Sequence, residues 1–170
     1  MSTLHGGRCI WVLERVMMNR ELDKMLCSRY PKIFANRNGD MTTTAMCWGF
    51  DCGDGWFDIL NQLCSNIQEH IDWRNSTRER LLKDNPHNLT IPDEVPQVVA
   101  AQVKEKFGTL RFYADGGDAV TRGMERMAES MSAVTCEECG NKGKVRHGGW
   151  IRTLCDQHAE DAGYYTDEKF

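Results

Sequence analysis

Apolar residues recur along this chain in several patterns, and each predicts a different element. The clearest begins at Asp54-Gly55. Trp56, Ile59, Leu60, Leu63, Ile67 and Ile71 fall three or four positions apart, with one step of one, which is the stripe of a helix laid on a sheet or on another helix. Asp51 or Asp54 is placed to cap it, because a short side-chain oxygen satisfies an unpaired first-turn N–H. A shorter helix is expected over residues 21–30, where Leu22, Met25 and Leu26 share a face and Pro31 ends the run. A polar loop rich in Asn and Thr follows over 36–44. Residues 74–93 are charged and carry Pro86 and Pro92, so a fraying helix end and a loop are expected there.

Residues 98–113 carry both periods. Val99, Val103 and Phe107 fit a helix, whereas Ala101, Val103, Glu105 and Phe107 against Gln102, Lys104 and Lys106 fit a strand imperfectly. The alternating, β-prone run Thr109-Leu110-Arg111-Phe112-Tyr113 after Gly108 favours a hairpin turning near Lys106-Phe107-Gly108. Asp115-Gly116-Gly117-Asp118 reads as a turn and cap. The helix after it places Val120, Met124, Met127, Met131 and Val134 on one face. A methionine stripe at helical spacing is more often core filling than a binding groove, so this face is expected to point inward.

Residues 1–17 have two glycines and no strong period, and Met18-Asn19-Arg20-Glu21-Leu22 resembles a natural start. Residues 1–17 are therefore expected to be a disordered or wrongly assigned extension. Residues 18–134 are expected to form an α+β body of helices and a β-hairpin, and 135–170 a small C-terminal finger.

Composition changes this picture at one point. The chain has 170 residues, 41% hydrophobic and 27% charged, with a net charge of -4. That is globular, and it argues against a whole-molecule electrostatic grip on nucleic acid. No apolar run in the first thirty residues exceeds Cys9 to Leu13, so neither a signal peptide nor a membrane span is expected, and a cytoplasmic location follows. Eight cysteines are too few for a disulfide scaffold of this length. In a reducing compartment, close cysteine pairs favour metal.

Cys136-x2-Cys139 and Cys155-x2-His158, fifteen residues apart, have the spacing of a zinc site. Zinc takes four soft or borderline donors at tetrahedral corners, and two intervening residues let one tight turn aim a pair at one ion. Gly140 suits the turn after the first pair. Residues 143–147 and 150–154 flank Gly148-Gly149 as a second hairpin, and a helix beginning over 159–165 puts the second pair on its first turn. Knuckle, hairpin and ligand-bearing helix in this order resemble a treble-clef zinc finger. Four protein ligands close the ion to water, so one structural zinc is expected and no catalytic role. His147 lies at the edge of the hairpin turn and is left out. The same hairpin carries Lys142, Lys144, Arg146 and Arg152, a modest basic face that offers nucleic-acid binding as an alternative function.

Cys47-Trp48-Gly49-Phe50-Asp51-Cys52-Gly53-Asp54-Gly55-Trp56 packs two Cys, two Trp and three Gly into ten residues. As chemistry, Cys47 and Cys52 offer a redox or metal pair, and Asp51, Asp54 and Asp58 offer a hard-metal cluster for a hydrolase or nuclease. As structure, the glycines allow a tight loop that the tryptophans anchor. No histidine base stands nearby for a cysteine nucleophile, and the structural reading is preferred. Cys9, Cys27 and Cys64 read as small apolar fillers. Lys104, Lys106, Arg111 and Tyr113 are expected on the outer face of the first hairpin. With Trp48 and Trp56 they form the first candidate for a partner surface, because Arg and the aromatics are enriched at interface hot spots.

Taken together, Arg29-Tyr30-Pro31-Lys32-Ile33-Phe34, the Cys-Trp-Gly-Phe-Asp-Cys-Gly-Asp-Gly-Trp run, Gln102 to Tyr113 and the Cys-x2-Cys…Cys-x2-His tail resemble a family of small, mostly uncharacterised proteins encoded by phages and prophages. The resemblance spans residues 19–160. It implies a phage accessory protein in the bacterial cytoplasm that binds a host protein, with inhibition of a defence system among the outcomes, and it brings no catalytic residue.

Overall fold

The computed structural model describes residues 16–85 and 90–164. Most of the expected extension, together with the chain's last six residues, lies outside them. Helix α1 spans Arg20–Arg29, and Asn19 caps it by accepting the Glu21 N–H. Two short 3-10 turns then lead to strand β1, Phe50–Asp51. Helix α2 spans Phe57–Asp84, strands β2 and β3 span Val99–Lys106 and Thr109–Asp115, and helix α3 spans Ala119–Ser132. Strand β1 runs parallel to β2, which pairs antiparallel with β3, giving the order β1-β2-β3. The parallel pair needs a long crossover, and α2 supplies it.

The apolar stripe of α2 is the core of the body. Ile59, Leu60, Leu63, Cys64, Ile67 and Ile71 are all buried, in one cluster with Phe50, Val103 and Leu110. Each side chain removed from water in this way is worth roughly 1.5–3 kcal/mol. Met18 belongs to the same cluster, and its N–H bonds to the Phe50 carbonyl at 3.2 Å. Cys64 is a core filler and Cys27 packs against the core. The first hairpin turns where expected. Phe107 (φ 54°) and Gly108 (φ 79°) both occupy the left-handed region, as a two-residue turn matched to strand twist requires. A register shift between Ala100 and Gln102 explains why the alternation in β2 looked imperfect.

Three expectations are corrected. The helix does not fray at residue 74 but continues to Asp84. Its cap is neither Asp51 nor Asp54. A 3-10 turn over Asp54–Trp56 precedes it with no side-chain cap, and Asp54 instead accepts the Asn19 N–H at 2.6 Å. The α3 stripe faces outward. Val120, Met127, Met131 and Val134 are exposed, and only Met124 packs against the core, while Thr121, Ala128 and Ser132 form the buried face. Small and hydroxyl side chains let α3 approach closely, and the Ser132 hydroxyl accepts the Leu110 N–H of the β3 edge at 2.8 Å.

Asp118 begins α3 as a full capping box, accepting from the Val120 and Thr121 N–H groups, while its other oxygen meets His70 of α2 at 2.9 Å. Burial alone would raise the Asp118 carboxyl, but the His70 contact and the backbone N–H groups outweigh it and hold the carboxyl below its ordinary value. Its contribution to stability is therefore complete above that ordinary value and lost as pH falls through the lowered one. Asp118→Ala is expected to cost about 1–2 kcal/mol by urea denaturation at pH 7. Asp118→Asn, which keeps the cap, should cost less than half as much.

Candidate metal centre

The C-terminal segment is organised around a turn, a hairpin and one helical turn. Gly140 (φ 75°) closes the knuckle, with its N–H bonded to the Cys136 carbonyl at 2.9 Å. Strands β4, Lys144–Arg146, and β5, Arg152–Leu154, pair antiparallel with Arg146 opposite Arg152. Helix α4 begins earlier than expected and is shorter, Asp156–Asp161. Cys155 sits at its N-cap and His158 in its first turn, so the second pair does lie at a helix start.

These elements bring Cys136, Cys139, Cys155 and His158 together with all four ligand atoms within 4.8 Å of one another. His158 Nδ1 lies 3.2 Å from Cys155 Sγ and 3.5 Å from Cys136 Sγ, and Cys139 Sγ lies 3.9 Å from Cys155 Sγ. A tetrahedron of thiolates about 2.3 Å from an ion has edges of roughly 3.8 Å, so the donor set fits one metal ion. Among the described residues no other group of three or more His, Cys, Asp or Glu is close enough to share one.

Electrostatics favour the same use. Burial would raise the Cys136 thiol, yet backbone N–H groups of Cys155, Cys139 and Glu138 draw it down to about 7. Burial and the neighbouring sulfurs raise Cys139. The fold stabilises the Cys136 thiolate, and a cation at the cluster would offset the cost of ionising Cys139 beside it. Among the described residues the local core is Cys136, Leu154 and Ala159, with Cys155 and Tyr164 against it, too small to fold by burial alone.

Comparison of the chain with protein-family models, with curated proteins and with solved structures finds no match in any of the three. The fold and the site define a class, an α+β protein carrying a Cys3His cluster with the geometry to hold one metal ion. No helix among the described residues is long and apolar enough to cross a membrane.

The other candidate residues scatter. Trp56 is no surface residue. It is fully buried, and its Nε1 donates to the Thr135 carbonyl at 2.9 Å. Trp48 is exposed. On the first hairpin, Lys104 pairs with Asp51 at 3.8 Å and Arg111 with Glu129 at 2.5 Å. Lys106 lies over the Phe107 ring and Tyr113 is exposed. The basic face of the second hairpin is largely neutralised. Arg146 and Lys144 both meet Asp156, and Arg152 meets Glu137 and Glu138, while Lys142 bridges Thr135 through its backbone. The Asp51, Asp54 and Asp58 carboxylates do not assemble a site: Asp51 faces Lys104 and Asp54 holds Asn19. Cys47 donates to the Thr44 carbonyl, and Cys52 is fully buried with its thiol pushed well above the ordinary range by burial and then by nearby acids.

Sequence reasoning missed one buried ion pair. The Glu137 side chain is only 1% exposed and meets Arg152 Nε at 3.2 Å. A Glu directly after a ligand cysteine carries no local sign of burial, because its partner stands fifteen positions on. Removing one member of such a pair strands the other charge out of water. Arg152→Met is expected to cost about 3–5 kcal/mol in urea unfolding with metal in excess. Adding Glu137→Gln should recover a large part of that loss.

Proposed function

We propose that this chain is a zinc-stapled binding protein without catalytic activity, a phage accessory protein that acts in the bacterial cytoplasm by docking on a host protein, components of defence systems included. The observation that carries the zinc half is the donor set, three sulfurs and one imidazole nitrogen all within 4.8 Å of one another, with three of the separations between 3.2 and 3.9 Å. Soft thiolates select zinc over hard cations, and four protein ligands leave no position for water, the mark of a structural ion in a treble-clef-like finger.

The docking half is supported by what the body leaves uncovered. Val120, Met127 and Met131 on α3, with Val134 in the turn after it, form an apolar strip that no other described element covers, and Met is over-used at protein-binding surfaces. Trp48 and Tyr113 add exposed aromatics elsewhere. The phage setting rests on motif order, not on a residue of the site.

Metal analysis of the purified full chain should find one zinc per chain, and Cys155→Ser should lose most of it; well under one zinc in the parent overturns the zinc reading. For docking, tagged protein drawn from infected host cells is expected to retain one host protein that the Met127→Glu/Met131→Glu variant no longer retains. Retention unaffected by the double variant removes α3 from the interface, and retention of no host protein overturns the docking reading.

A further inference from the structure

The Cys52-Gly53-Asp54-Gly55-Trp56 loop meets the metal-ligand knuckle backbone to backbone. Gly55 N–H donates to the Glu137 carbonyl at 2.8 Å, Gly53 N–H to Glu137 Oε1 at 3.1 Å, and Trp56 Nε1 to the Thr135 carbonyl at 2.9 Å. The three acceptors come from the residues on either side of Cys136. The two glycines are required by space. A Cβ on Gly53 would stand 2.3 Å from the Glu137 carbonyl oxygen, and one on Gly55 would stand 2.2 Å from that of Cys136 and 2.4 Å from the Gly140 nitrogen. A second strut leaves the same knuckle. Glu137 N–H bonds the Thr153 carbonyl at 2.9 Å, and the Thr153 hydroxyl donates to the Gly108 carbonyl at 2.5 Å. This ties the first hairpin's turn to β5, directly before the ligand Cys155.

We propose that the Gly53–Trp56 loop and the Gly108 turn are positioning segments of the metal centre, so that ion binding and order in these two body segments are one coupled equilibrium. The inference deepens the zinc reading and rests on it. An ion fixes the backbone on both sides of Cys136, and that backbone supplies the acceptors for Gly55 and for the indole of a fully buried tryptophan. When the ion leaves, the knuckle is released and those donors lose their partners. Linkage makes the effect reciprocal: whatever pushes the loop away from the knuckle weakens the hold on the ion by the same factor. Groups that orient ligands without touching the metal commonly matter by about 10–100-fold in affinity.

Hydrogen exchange followed by mass spectrometry on the full chain, zinc-loaded against chelator-stripped, tests the coupling. Stripping is expected to raise exchange in peptides covering residues 50–58 and 105–112 as well as 134–158. A rise confined to 134–158 overturns the inference and leaves the zinc reading standing, whereas a chain that takes up no zinc overturns both. A variant pair adds a second arm. Gly55→Ala should weaken zinc binding about tenfold or more, while Gly149→Ala, whose Cβ meets nothing within 4 Å, should bind within about twofold of the parent. Equal affinity in the two variants overturns the positioning role. If Gly55→Ala does not fold, the exchange experiment on the parent chain decides alone.

Discussion

Gly55 gives its N–H to the Glu137 carbonyl across a gap that no side chain at position 55 would allow. This contact sits where three parts of the molecule meet. The 3-10 turn that leads into α2 starts one residue earlier, the ligand knuckle lies on the other side, and α3 ends just before Thr135. The buried Glu137–Arg152 pair locks β5 to the same point. A buried charge pair is weak evidence for stability in itself. Here it serves register, because Arg152 reaches Glu137 and Glu138 only when the hairpin is folded back on the knuckle.

The body extends outward from that junction. Strands β1 and β2 are joined by α2, whose apolar stripe closes the core, and α3 lies beside α2 along the β3 edge. The side chains that seat α3 are small. Ala128 and Ser132 are buried, and Thr121 completes the cap. A sheet edge exposes unpaired N–H groups, and the Ser132 hydroxyl satisfies one of them. With Ala128 and Ser132 on the buried face, Met127 and Met131 look outward, while Met124 stays against the core. The resulting strip is apolar and exposed, whereas the basic hairpin of the finger spends most of its charge on its own acids.

Much of the fold was legible in the chain because its signals are local. The stripe from Trp56 to Ile71 needs only the helical period to predict a buried face. The turn at Phe107-Gly108 and the cap at Asp118 need only backbone preferences. The Cys3His cluster was legible too, since two-residue spacing and a glycine after the first pair report a tight turn whatever surrounds it. The α3 stripe misled for a physical reason. Periodicity tells which residues share a face, but not which of two faces the neighbouring elements require.

By itself, then, the sequence determined the two hairpins, the apolar stripe of α2 and the Cys136, Cys139, Cys155 and His158 set, for these follow from spacing within short stretches, whereas strand β1 was not legible in its glycine-rich run. Only the tertiary structure decided that Trp56 is buried, that Asp54 holds Asn19 in place of capping α2, and that Glu137 finds Arg152. It alone explains the two glycines before Trp56. Their partner is the backbone at Cys136, about eighty positions away, and a requirement for empty space leaves no trace near the residues that impose it.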